Sequence, residues 1–213
     1  HDHWAFINPD ALRAFMDAPE NSDAAGVIME HFHRVNDICW RDGALLVQVA
    51  QQYGIEYDQD LPDLTFALRL YLDRPDAFDF AWSMYLRVAL NAGPCEYRFP
   101  AGRLRPSPAE IALLESNLRG WFANMKKGSQ CLVACFAEGN GLLLRITRGA
   151  RVKTIARWRG FVTEIDSFRP ANEDVVWYEP DESRLSIKAS LRRDREQYIR
   201  SIAEIFAKES ELA

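Results

Sequence analysis

The chain has 213 residues, 48% of them hydrophobic, which suffices for a substantial core and excludes a disordered chain. Its net charge of −5 hides an uneven spread, since residues 1–100 hold 7 Lys/Arg against 16 Asp/Glu and residues 101–160 hold 11 against 3. No apolar run reaches the roughly 20 residues that a membrane-spanning helix requires, and four Cys without any Asn-x-Ser/Thr acceptor argue against a disulfide-stapled secreted domain.

The opening His1-Asp2-His3-Trp4 does not read as a secretion signal, so a cytoplasmic protein with reduced thiols and no membrane partner is expected. Asn8-Pro9 then predicts a helix start, a cap followed by proline at the first helical position, with Leu12, Phe15 and Met16 recurring on one face. A second start near Ser22 leads into the stripe Val27, Ile28, Phe32, Val35 and Ile38. Asp42-Gly43 marks a break, after which Leu45, Leu46, Val49 and Ala50 continue helical until Gly54. Asp63 is expected to cap a helix carrying Leu64, Ala67, Leu68 and Tyr71, and Pro75 to open another carrying Phe78, Trp82, Tyr85 and Val88.

The run Asn91-Ala92-Gly93-Pro94 stops that helix, and with Pro100-Ala101-Gly102 and Arg105-Pro106 it gives the expected domain boundary. Residues 1–93 are thus read as an acidic helical region and residues 94–213 as an α+β domain with a basic sheet face. A short edge strand is expected at 96–99. Ser107-Pro108-Ala109-Glu110 is a capping box with an N1 proline, in which serine and glutamate satisfy backbone donors that a helix start otherwise leaves unpaired. Ile111, Leu114, Leu118, Trp121, Phe122 and Met125 follow at helical offsets, and Lys126-Lys127-Gly128 supplies the cations and glycine expected at a helix end.

The period then changes. Residues 131–136, 142–148 and 152–159 read as strands joined by Glu138-Gly139-Asn140-Gly141 and by Gly149-Ala150-Arg151, an antiparallel meander. A second strand pair is expected at 175–178 and 185–187, and a closing helix after Ser190 with Tyr198, Ile199, Ile202, Ile205 and Phe206 inward. The expected fold is α+β: N-terminal helices, then an antiparallel sheet of about five strands flanked by two helices.

If residues 149–151 form a three-residue hairpin loop, Val152 faces Arg148, and one sheet face gathers Arg145, Lys153, Arg157 and Arg159. The other face then holds Leu142, Leu144, Ile146, Val152, Ala156 and Trp158. Such a basic face suits phosphates or carboxylates, because Arg offers a bidentate fork and Lys a point charge. No aromatic residue interleaves with those cations, so base stacking is not indicated. The leading functional reading is a non-catalytic interaction module for an anionic partner, either nucleic acid or an acidic protein surface.

Two alternatives come from other classes. One is a small-molecule binder or enzyme with a pocket between the sheet and the C-terminal helix, lined by Trp158, Trp177 or Tyr198. The other is an assembly subunit, including a homo-oligomer, in which the acidic part of one chain meets the basic part of another. Catalytic chemistry finds little support: the four His stand at positions 1, 3, 31 and 33, and no phosphate-loop, HExxH or GxSxG motif occurs. Cys131 and Cys135 share one side of a strand about 13 Å apart, too far for joint zinc ligation. The carboxylates at Asp58, Asp60 and Asp63 and those between Glu164 and Glu182 read as turn, cap and loop residues, so no metal or cofactor is expected.

Overall fold

The structure is a computed structural model and describes residues 9–18, 21–39, 43–90, 93–99, 102–159 and 162–207. The side chains of residues 9, 22, 23, 157–159, 162, 164 and 166 lie outside that description. Two compact units result, His1–Trp82 with Trp158–Val162 and Ser83–Arg157 with Thr163–Ala213. Asn8, Asp42 and residues 91–92 and 100–101, which carry several of the sequence-based breaks, fall outside the described residues.

The first unit is helical. It holds α1 (Pro9–Asp17), α2 (Ser22–Asp37), α3 (Ala44–Tyr53), α4 (Asp63–Asp73) and the first half of α5 (Pro75–Ala89). The predicted stripes are buried in part: Val35, Ile38, Leu46, Val49, Ala67 and Phe78 are buried, Val27, Phe32 and Leu64 are exposed, and Leu70 and Phe80, outside those stripes, add to the core. Tyr71 stands edge-on to Phe78 with ring centroids 5.1 Å apart, and the Arg34 guanidinium lies 5.1 Å above Trp82. Asp63 departs from its expected role: Pro62 takes the cap position, and Asp63, one residue further, accepts the Tyr57 hydroxyl. At the first helical position its side chain no longer stands where an N-cap acceptor must.

The second unit is α+β. Its sheet has five strands in the order β1-β7-β6-β3-β2, from β1 (Cys95–Arg98), β2 (Cys131–Glu138), β3 (Gly141–Gly149), β6 (Ala171–Glu179) and β7 (Arg184–Lys188). Every neighbouring pair is antiparallel. A separate two-stranded ribbon joins β4 (Lys153–Arg159) to β5 (Val162–Phe168).

One sheet face is covered by α6 (Pro108–Asn124) and α7 (Arg192–Phe206), with Leu114, Leu118 and Phe122 meeting Leu144, Ile146, Val176, Tyr198 and Ile202. The capping box is complete: Ser107 accepts from the Glu110 N–H, and the Glu110 carboxylate accepts from the Ser107 N–H at 2.7 Å. On the other face the Lys188 ammonium donates to the Val88 and Leu90 carbonyls at 3.2 and 3.0 Å, capping the end of α5. Arg87 donates to Glu138 at 2.9 Å and lies 4.9 Å over the Trp177 ring.

β2 is an edge strand, and α6 guards it. Arg119 donates to the Cys131 carbonyl at 3.1 Å, and Glu115 accepts the Val133 N–H at 3.0 Å. The two side chains pair with each other and occupy backbone groups that would otherwise template a further strand.

The expected meander requires correction. β3 pairs with β6, placing Arg148 opposite Asn172 rather than Val152, while β4 pairs with β5, a strand the sequence reading omitted. The cause lies at the end of β3. The Gly149 N–H donates to the Gln130 carbonyl and the Ala150 N–H to the Pro170 carbonyl at 2.8 Å, so the chain leaves along the β5–β6 connection instead of turning back. A Cβ at Gly149 would overlap the Lys127 carbonyl oxygen, which explains the glycine without any hairpin.

Candidate functional site

Several of the sequence-selected residues do not come together. Arg145 is on β3 of the five-stranded sheet, 3.7 Å from Glu173, whereas Lys153 is exposed on β4 of the ribbon. Arg157 and Arg159 also belong to β4, but their side chains, like that of Trp158, fall outside the described residues. Trp177 lies under Arg87, in alternation with Val176 and Tyr178, whose side chains join the helix-covered core. Tyr198 is on α7 and wholly buried. Trp177 and Tyr198 therefore occupy opposite sides of the sheet.

A different group of residues does converge. Lys127 follows α6, held by its N–H to the Phe122 carbonyl at 2.9 Å, and Arg148 ends β3. Asp174 sits in β6 and Asp194 in the first turn of α7. All four charged side chains are buried, at 3%, 3%, 2% and 0% exposure, which is tolerable only because each is paired.

Lys127 donates to both Asp194 oxygens at 2.7 Å, and Arg148 reaches the same carboxylate at 2.9 Å. Arg148 also donates from Nε to Asp174 at 2.7 Å, and the Tyr198 hydroxyl donates to that Asp174 oxygen at 2.6 Å. The Phe122 ring lies 5.3 Å from the Arg148 guanidinium and 5.6 Å from the Lys127 ammonium.

Burial lowers the Lys127 ammonium from its usual range, opposed by its bond to Asp194 and assisted by repulsion from Arg148 and Arg193. Burial would also lower Arg148, but Asp174, Tyr198 and Asp194 outweigh it and hold the guanidinium charged. Burial, then the Asp174 charge, raises Tyr198 well above the ordinary phenol range, so it remains a donor.

A cavity of about 410 Å³ opens beside this network, lined by Lys127, Arg148, Ala150, Arg151, Asn172, Ser190, Leu191 and Arg193. Among the described residues, four cations and no carboxylate form its wall. Arg169 braces the rim, donating to the Ala150 carbonyl at 2.6 Å and the Lys126 carbonyl at 3.2 Å. α7 begins at this wall without a side-chain cap, because Leu191 carries no acceptor. The positive end of a 15-residue helix is thus added to the cations.

Most of these residues were missed from sequence, yet a signal existed. Arg148 is in phase with Leu142, Leu144 and Ile146, Asp174 with Val176 and Tyr178, and Asp194 precedes Tyr198 by one helical turn. Charges in phase with an apolar stripe must be buried and paired.

The cysteines take no part. Cys39, Cys95, Cys131 and Cys135 are free, and among the described residues no group of three or more His, Cys, Asp or Glu could hold a metal ion. His31 lies 5.3 Å from Tyr71 in the first unit, and His33 is exposed there. Burial pushes the Cys131 thiol up to about 12, Glu115 adding to it, and the Cys135 thiol to about 11. Burial followed by the Asp63 charge takes Cys39 to about 11. Little thiolate then exists at mildly alkaline pH, so these three are expected to react with Ellman's reagent about 100-fold slower than an exposed cysteine. Mass mapping of the labelled sites in native and urea-unfolded protein checks this, and fast labelling of native Cys131 would contradict the burial.

Among the described residues no helix is long and apolar enough to cross a membrane. Comparison of the chain with protein-family models and with curated protein sequences finds no match.

Proposed function

We propose that the second unit is a non-catalytic binding module for an anionic partner, and that the cavity at the start of α7 is where the anionic group seats. The observation that carries this reading is the convergence of Lys127, Arg148, Arg151 and Arg193 on one cavity whose wall, among the described residues, holds no carboxylate. Buried carboxylates behind the wall fix Lys127 and Arg148 in place, so these groups meet a ligand already oriented, at little cost in side-chain ordering. Lys127 directs Nζ at both Asp194 oxygens, a tight ion pair that favours holding charge over carrying protons and leaves the third N–H of the ammonium for a ligand.

The volume falls within the ~300–1,000 Å³ of small-ligand sites, and the cations face inward on a cavity rather than running along a strip. A compact anionic group therefore fits better than the backbone of an extended polyanion. Nucleic acid and an acidic protein surface remain partners that would have to present such a group.

The test is titration of the full chain with inorganic pyrophosphate, followed by calorimetry and by amide shifts of residues 172, 190 and 193. Binding that weakens with salt is expected, with a loss of about tenfold for each of Arg151→Ser and Arg193→Ser, since a hydrogen bond to a charged group contributes ~1.5–3 kcal/mol and exposure reduces it. Both arginines are exposed, so the variants should unfold as the parent does. Labelled oligonucleotide binding that survives the double substitution would move the function to another surface. Absence of pyrophosphate binding at millimolar concentration would remove the proposal.

A further inference from the structure

We infer that the group this cavity accepts is a phosphate monoester in its dianionic form, an inference that rests on the anion-binding reading above. The argument begins with charge. Within the wall two cations, Lys127 and Arg148, face two carboxylates behind it, Asp174 and Asp194, in direct contact, and these charges offset one another. Arg151 and Arg193 remain, and among the described residues no acidic side chain pairs with either. Among the described residues the wall therefore carries two uncompensated positive charges, while Arg169 at the rim is turned to the Ala150 and Lys126 carbonyls.

A carboxylate or a phosphodiester brings one negative charge and leaves the cavity positive. A monoester brings about two above its second pKa of about 6 and neutralises it. The donor set agrees. Asn172 and Ser190 add an amide and a hydroxyl to the two guanidinium forks, and the uncapped first turn of α7 adds backbone N–H groups. A dianionic phosphate is an acceptor through three terminal oxygens and donates nothing, whereas a carboxylate offers two oxygens and a diester two.

The rest of the lining gives the third argument. The remaining wall, Ala150 and Leu191, is apolar and suits the organic part of the ester.

The experiment compares phenyl phosphate, methyl phenyl phosphate and benzoate by calorimetry on the full chain and on its Arg151→Ser/Arg193→Ser variant. The monoester is expected to bind about tenfold tighter than the other two near neutral pH, the factor that ~1.4 kcal/mol of added ion pairing represents. That margin should shrink below pH of about 6, where the monoester becomes a monoanion, and should vanish in the variant. Equal binding of all three probes, lost in the variant, would overturn the dianion inference and leave the anion cavity standing. Failure of all three to bind would overturn the anion-binding reading with it.

Discussion

Replacement of Asp194 by alanine is expected to lower the free energy of unfolding by about 3–5 kcal/mol, read from urea denaturation of the full chain. Asp194 is fully buried and receives three short contacts, two from Lys127 and one from Arg148. Its removal leaves two cations against one carboxylate in a site that water barely reaches, and the stranded charge is the cost. The Asp194→Asn variant keeps the shape and loses the charge, so it should fall on the same side but less far. A paired Lys127→Met/Asp194→Leu substitution removes both partners and should recover most of the loss, because an apolar pair of similar volume is close to neutral. A loss of under about 1 kcal/mol for Asp194→Ala would mean that water reaches the network and that the cations are not held by it.

The same network shows where sequence reading reaches its limit. Local signals were legible. The capping box at Ser107 and Glu110, the N1 proline at Pro75, the αL glycine at Gly54 and the strand pair either side of Pro180 all depend on neighbours within a few residues. The α+β class and the antiparallel sheet followed from those signals.

Pairing between distant strands did not follow. Register was inferred from the assumption that consecutive strands pair, and β3 instead takes β6 as its neighbour, with β4 and β5 inserted between them in the chain. The deciding contacts, Gly149 to Gln130, Ala150 to Pro170 and Arg169 to Lys126, join segments that no periodicity links. The basic cluster suffered accordingly. Arg145 and Lys153 were placed on one face by a hairpin that does not form, and they stand on different sheets. The excess of positive charge over residues 101–160 was nevertheless real, and part of it, Lys127, Arg148 and Arg151, lines the cavity. Arg193 and Asn172 come from segments without that excess, so only the fold could add them.

Phe122→Ala is expected to destabilise the chain by about 3–5 kcal/mol, the range for deleting a buried aromatic side chain. Phe122 is fully buried in the last turn of α6 and touches both halves of the site. Its ring lies under Arg148 and Lys127 and stands edge-on to Tyr198 at 6.3 Å, so the hole left by alanine would open directly onto the buried ions. Phe122→Leu separates the two contributions. It restores much of the volume but supplies no π face, and the cation contacts it removes are worth about 0.5–2 kcal/mol. Thermal unfolding should therefore rank parent, leucine, alanine, with the leucine variant the nearer to the parent. If leucine and alanine proved equally damaging, the ring would act on the cations more than on the core. Arg148 and Lys127 would then lose their orientation in both variants, and anion binding should fall with stability in each. If leucine restored stability and binding together, packing would be the dominant role of Phe122, and the carboxylates alone would suffice to hold the cations against the cavity.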